Sequence, residues 1–337
     1  MKYLKFVLIY FIPLAIYSGE WSLLPDLPEP MSNNAVTAVN GRLYSFLGLN
    51  AAKVGPLPLH AFTYHLEERV WTRLPDVPAG KYGGRLAATA QAVGDKIYLI
   101  GGYALYDKGE VSVKNVDIYD TKKKVWEVGS PMPIPTDDAV SGVWKNRYIL
   151  IISGWSQTKN LKLVQFYDTK ENIWIKGSPI TGPAVFGHSG SILGNIIVYC
   201  DGVTNFVWTK NTNKCFIGKL DKKNIGHIDW KKIPPHPGKP RYRMAAGASH
   251  ALNAIVFSGG TTNPYNIDGI GYDGKPSTAE AQVFYYSLND SSWATLGKHP
   301  SPTMDHRNLL IDNNSFYIIG GMDSQQKVLR QVSTMQF

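Results

Sequence analysis

Apolar residues in this chain come in short runs, each cut off by turn chemistry. The run Leu86-Ala87-Ala88-Thr89-Ala90-Gln91-Ala92-Val93 passes through Gly94-Asp95 into Lys96-Ile97-Tyr98-Leu99-Ile100 and stops at Gly101-Gly102. A polar connection precedes Val116-Asp117-Ile118-Tyr119-Asp120, and a lysine-rich turn precedes Val125-Trp126-Glu127-Val128. Four such runs, rich in β-branched and aromatic residues, predict a four-stranded antiparallel meander with two tight hairpins. The first run is built from Ala and Thr, which suits a strand crowded against copies of itself. The glycine pair permits a tight backbone path, and the late Trp is placed to cover the outer strands.

The same unit recurs. Its glycine returns at Gly48, Gly102, Gly154, Gly202, Gly260 and Gly321, and its Trp at Trp71, Trp126, Trp174, Trp230 and Trp293. A Tyr precedes the Trp at Tyr64, Tyr119, Tyr167 and Tyr286. Periods near 50 with glycine, Tyr and Trp in fixed order indicate kelch-type propeller blades. Six glycines against five following tryptophans leave the last blade short of a strand, and too little chain follows Gly321 to supply it. Glu20-Trp21-Ser22-Leu23-Leu24-Pro25 has the form of that missing strand. The expectation is therefore an all-β, six-bladed kelch-type β-propeller, closed by an N-terminal strand that completes the C-terminal blade.

The motifs Ile100-Gly101-Gly102, Ile118-Tyr119-Asp120 and Val125-Trp126 resemble the kelch repeat, and the resemblance spans Glu20 to Phe337. More narrowly, a single propeller opening with Leu24-Pro25-Asp26-Leu27-Pro28 is similar to the exported bacterial N-acetylneuraminate epimerases, which are sialic-acid mutarotases. In those proteins a catalytic Glu and a nearby Arg follow the second strand of the fourth blade. The matching stretch here, Gly202 to Trp208, carries neither. That blade also reads Cys200-Asp201-Gly202 for Gly-Gly, and Ile217-Gly218-Lys219 for Ile-Tyr-Asp.

Composition changes this picture little. The chain has 35 Lys+Arg against 26 Asp+Glu, with lysines concentrated in predicted turns such as Lys122 to Lys124 and Lys222-Lys223. A solvated face accounts for them, with attraction of anionic ligands as the alternative. No basic run interleaves with aromatics, so nucleic acid is not an expected partner.

Residues 1–19 read as a secretory signal, with Lys2 and Lys5 ahead of an apolar run from Phe6 to Ile16 and small residues at Ser18-Gly19. An uncleaved anchor is the alternative; residues 20–337 then form one propeller domain with no membrane span. An exported protein, periplasmic or secreted, and a monomer is expected. Cys200 and Cys215 fall on adjacent strands, where they form either a disulfide or two free thiols. A bridge closing about 15 residues contributes roughly 3 kcal/mol in the chain-entropy model.

In each blade the connections between strands two and three, and those into the next blade, emerge on one face, where loops on a rigid ring carry recognition. The longest runs from Thr261 to Ala281. Residues just ahead of each inner strand should ring the opening: Asn33 and Asn34, Arg85, Asp137 and Asp138, His188, Arg243, then Asp305, His306 and Arg307. Asp137, Asp138, Asp305 and His306 are the candidates for proton transfer. Arg85, His188, Arg243 and Arg307 are the candidates for holding a ligand, unless the arginines only satisfy loop carbonyls. Tyr103, Tyr106, Trp155, Trp208, Tyr265 and Tyr272 could stack on a sugar or a peptide.

No zinc spacing or nucleophile elbow occurs, and a copper radical site would need the cysteines that explain each other better, so neither metal nor cofactor is expected. Two readings follow: a propeller binding a glycan, small anion or protein on its loop face without catalysis, or a mutarotase-like enzyme exchanging anomers of an acidic sugar.

Overall fold

The computed structural model describes residues 19–337 except 107, 108, 206 and 313. Residues 1–18, nearly all of the expected leader, lie outside the described residues. Six four-stranded antiparallel sheets follow one another around a central channel. The reference blade is Thr89–Val93, Lys96–Ile100, Val116–Asp120 and Val125–Val128. In the sixth blade Leu310–Asp312, Ser315–Ile319 and Val332–Gln336 are completed by Trp21–Leu24, which pairs antiparallel with the last of them, Trp21 opposite Met335 and Leu24 opposite Val332. The ring is closed as the repeat count requires.

Small residues line the channel because neighbouring inner strands converge there. A Cβ on Gly247 would lie 2.2 Å from Leu309 O, and one on Gly142 would lie 2.7 Å from Ile192 Cγ1. At the end of strand two the chain takes two successive left-handed residues. The first tolerates a side chain, as at Leu47, Ser153 and Asp201, whereas the second is Gly. A Cβ on Gly102 would sit 2.5 Å from Leu86 O, a contact with rigid backbone that cannot be relieved.

The fourth-strand tryptophans tie each blade to its predecessor. Trp71, Trp126, Trp174, Trp230 and Trp293 donate their indole N–H to Pro25, Pro75, Ser130, Ser178 and Pro234 carbonyls at 2.9, 3.1, 2.8, 3.5 and 2.8 Å. Four of the five indoles also pack on the repeat Tyr directly across the ladder, as Tyr119 and Trp126 do with centroids 5.0 Å apart. In blade four that Tyr is Gly218, and Trp230 folds into the vacated space, leaving no room for a Cβ.

Cys200 and Cys215 lie opposite each other in that blade and form the disulfide. Among the described residues no helix is long and apolar enough to cross a membrane.

Removing residues 20–25 should strip the outer strand from blade six and expose the edge of Val332–Gln336. A fall in melting temperature of about 5 °C or more, measured by differential scanning fluorimetry, is expected. Unchanged melting would contradict closure by this strand.

Candidate functional site

The six connections entering the inner strands meet at one end of the channel, where their backbones lock together. A residue just ahead of each strand is left-handed: Asn33, Ala87, Asp138, Gly187, Arg243 and Asp305, with φ of 51, 53, 49, 62, 51 and 69°. Backbone N–H groups donate around the circle, Asn33 to Asp305 O at 2.8 Å, Ala87 to Asn33 O at 3.4 Å and Asp138 to Ala87 O at 3.3 Å. Gly187 donates to Asp138 O at 3.0 Å, Arg243 to Gly187 O at 2.9 Å, and His306 closes the circuit on Arg243 O at 3.2 Å. Five of the six residues have side chains, each costing on the order of 1 kcal/mol in this conformation.

A four-ion cluster plugs this end. Arg243 reaches across from blade five and grips Asp138 with both arms, Nε to Oδ1 at 3.0 Å and Nη2 to Oδ2 at 2.6 Å. Its Nη1 donates to Asp305 Oδ1 and to Asn266 O, each at 2.8 Å. Arg307 Nη1 meets Asp138 Oδ1 at 2.6 Å. The Arg243 guanidinium packs on the rings of Tyr242 and Tyr265, 4.8 and 5.5 Å from their centroids, and the two rings meet edge to face 5.7 Å apart. All four charged side chains are almost wholly buried.

Next to this cluster opens a pocket of about 620 Å³ counting its mouth. Its polar floor includes Asp137, Asp138, Ser112 and Gln157; Trp155, Trp208 and Tyr272 form an aromatic wall. Trp208 packs against Trp155 and Tyr272 with centroids 5.5 and 5.4 Å away. The Thr261–Ala281 loop supplies Asn266 and Tyr272, and Asn266 Nδ2 donates to Glu110 Oε1 at 2.7 Å.

Adjacent carboxyls in this pocket have opposite tendencies. Burial, reinforced by the charge of Asp138, pushes Asp137 well above the usual carboxylate range, despite the hydrogen bond it accepts from Ser112 at 2.5 Å. Asp138 is equally buried, but Arg243 first and then Arg307 outweigh burial and hold it below that range. A neutral acid thus sits beside a locked carboxylate, the arrangement that separates a proton donor from an ion. Burial lowers both His188 and His306 to about 3, so neither is charged at neutral pH.

The fold therefore brings Asp137, Asp138, Arg243, Trp155, Trp208 and Tyr272 to one pocket, with Asp305 and Arg307 behind them. Tyr265 lies beneath Arg243, fully buried. Three candidates point elsewhere. Arg85 bonds Asp117 Oδ2 and Gly101 O, His188 Nε2 donates to Ile152 O, and His306 Nε2 bonds the Thr303 hydroxyl. Asp201 is likewise structural, accepting from His236 and from the Arg241 amide. Glu110, Ser112, Gln157 and Asn266 were not foreseen. The first two lie on a hairpin, Tyr103–Tyr106 with Gly109–Ser112, inside a stretch whose polar composition reads only as a connection.

A family model described as the Kelch motif matches residues 84–133. The solved structure of YjhT superposes with a TM-score of 0.77 at 18% identity, covering 92% of this chain and 96% of that one. The chain is a six-bladed β-propeller with a Kelch motif in its second blade. It is also similar to proteins named N-acetylneuraminate epimerase: that of Haemophilus influenzae strain 86-028NP is 25% identical over 97% of this propeller and 83% of its own length. That of Vibrio cholerae is 29% identical over 41% of the propeller and 34% of its own length.

The split between the two carboxyls is testable through stability. A folded-state pKa raised above the unfolded value means that the folded protein binds the extra proton, so Asp137 costs stability as pH rises above about 4. Asp137→Asn should therefore gain on wild type between pH 5 and pH 9 in denaturant midpoints, and a constant difference would refute the neutral form. Asp138→Asn should instead lose about 3 to 5 kcal/mol at neutral pH, because two buried arginines lose their shared partner.

Proposed function

We propose that this propeller binds a pyranose sugar in the pocket between Trp208 and Asp137. The observation that carries this reading is that a cluster of aromatic rings and a set of hydrogen-bonding side chains line one cavity. A sugar ring has an apolar C–H face and a hydroxyl edge, and these two surfaces match it. Similarity to proteins named for an epimerase of N-acetylneuraminate supports a sugar ligand. The Cys200–Cys215 disulfide is consistent with work in an exported, oxidising compartment.

A second reading, anomer exchange, is favoured by the contrast between Asp137 and Asp138. Opening a pyranose breaks the bond between anomeric carbon and ring oxygen, with one proton delivered to the ring oxygen and one taken from the anomeric hydroxyl. Asp137 is the donor in this scheme, oriented by Ser112, whose own oxygen accepts the Gln157 backbone N–H at 3.1 Å. Asp138 is held ionised by two arginines and makes a weak base, so the Glu110 carboxylate at the rim takes the hydroxyl proton. Rotation about the exposed aldehyde or ketone carbon and reclosure with the protons returned gives the other anomer. No cofactor enters this balance.

Saturation-transfer and exchange NMR with free pyranoses separates the readings. Trp208→Ala should weaken sugar binding about tenfold, the loss of one aromatic platform. Asp137→Asn should keep binding and remove any acceleration of anomer exchange. Binding unaffected by Trp208→Ala would show that this pocket is not the site, and sugar binding without acceleration by wild type would leave a binding protein only.

A further inference from the structure

Resting on the sugar-binding reading, we infer that the pocket selects a pyranose without a carboxylate and favours one bearing an ammonium group. Arginine normally recognises a carboxylate through an unoccupied fork of N–H donors. Among the described residues Arg243 is the one cationic side chain lining the cavity, and its fork is taken: two arms hold Asp138, and the remaining nitrogen serves Asp305 and Asn266 O. Tyr242 and Tyr265 pack against it as well, 4.8 and 5.5 Å from centroid to guanidinium carbon. Arg307 lies behind Asp138, with its side chain only 4% exposed.

Formal charge gives the same result. Arg243 and Arg307 are balanced by Asp138 and Asp305, so the four-ion cluster offers no net positive charge. Glu110 remains on the cavity wall, hydrogen-bonded to Asn266 and without a cationic partner among the described residues. The described lining therefore carries excess negative charge whichever form Asp137 takes, since its ionisation would only add to it. A ligand carboxylate entering here would meet like charge, and it could engage Arg243 only by displacing Asp138, leaving a buried carboxylate under-paired. An ammonium meets the opposite conditions: Glu110 supplies a counter-charge, and the faces of Trp155, Trp208 and Tyr272 supply cation–π attraction.

Methyl β-glucoside, methyl β-glucosaminide and methyl β-glucuronide form a matched set that differs in charge and cannot exchange anomers. Titration calorimetry on the full chain at pH 7 should rank glucosaminide first, glucoside second and glucuronide at least tenfold weaker than the glucoside. Glu110→Gln should reduce the preference for glucosaminide over glucoside, read as the ratio of the two binding constants within the variant, to about nothing. Glucuronide binding as tight as glucoside, abolished by Trp208→Ala, would overturn the charge selection and leave the sugar site intact. An unchanged glucosaminide preference in Glu110→Gln would overturn it as well. No binding by any of the three, or binding indifferent to Trp208→Ala, would overturn the site and the selection together.

Discussion

Closing a ring of six blades requires the chain to turn six times at one end of a narrow channel, and the circuit of backbone hydrogen bonds from Asn33 to His306 is how it does so. Each turn needs a left-handed residue so that its N–H faces the carbonyl of a neighbouring turn. Only Gly187 meets that need without a side chain, and there a Cβ would collide with the Tyr242 ring at 1.8 Å. At three of the other five turns the side chains are held by partners on other blades. Asp138, Arg243 and Asp305 occupy these three positions, and their ion pairs with one another and with Arg307 bind blade three to blades five and six across the channel. A buried ion cluster of this kind is weak as a source of stability but costly to break, so it fixes one arrangement of the turns. The pocket inherits that rigidity, since Asp137 and Asp138 are consecutive and one of them is part of the lock.

Around the outside a different contact repeats. Each fourth-strand indole donates to a carbonyl just beyond the preceding blade's last strand, so neighbouring blades are joined at their perimeters as well as at the channel. At the seam between blades five and six the same position is Trp21, which packs on His299 with centroids 4.0 Å apart. The closing strand thus has the packing of an ordinary blade edge even though it comes from the far end of the chain.

These perimeter and channel contacts explain what could be read from sequence. Gly102, Tyr119, Trp126 and their counterparts answer to packing that recurs once per blade, so they stand out as a period, and the count of them predicts the ring and its closure and places the two cysteines on adjacent strands. Arg243 and Asp138 answer to each other across 105 residues, and nothing local marks the pair. Position ahead of an inner strand correctly grouped Asp137, Asp138, Arg243 and Asp305 as a ring. It could not separate them from Arg85, His188 and His306, which share that position but turn toward Asp117, Ile152 and Thr303. Glu110 and Ser112 escaped because a hairpin made of Tyr103–Tyr106 and Gly109–Ser112 owes its form to the loops around it.

The same separation of scales governs charge. A net charge of +9 suggests an affinity for anions, yet much of it belongs to turns such as Lys122 to Lys124 and Lys222-Lys223, between the third and fourth strands. Those turns lie at the opposite end of the blades from the pocket. Strands of five residues put roughly 16 Å between the two ends, about twice the screening length at physiological ionic strength. The positive field of these turns is therefore largely extinguished before it reaches the cavity. What a ligand meets there is set, among the described residues, by neutralised arginines, a glutamate hydrogen-bonded to Asn266 and three aromatic faces, so overall charge and the charge of this lining differ in sign.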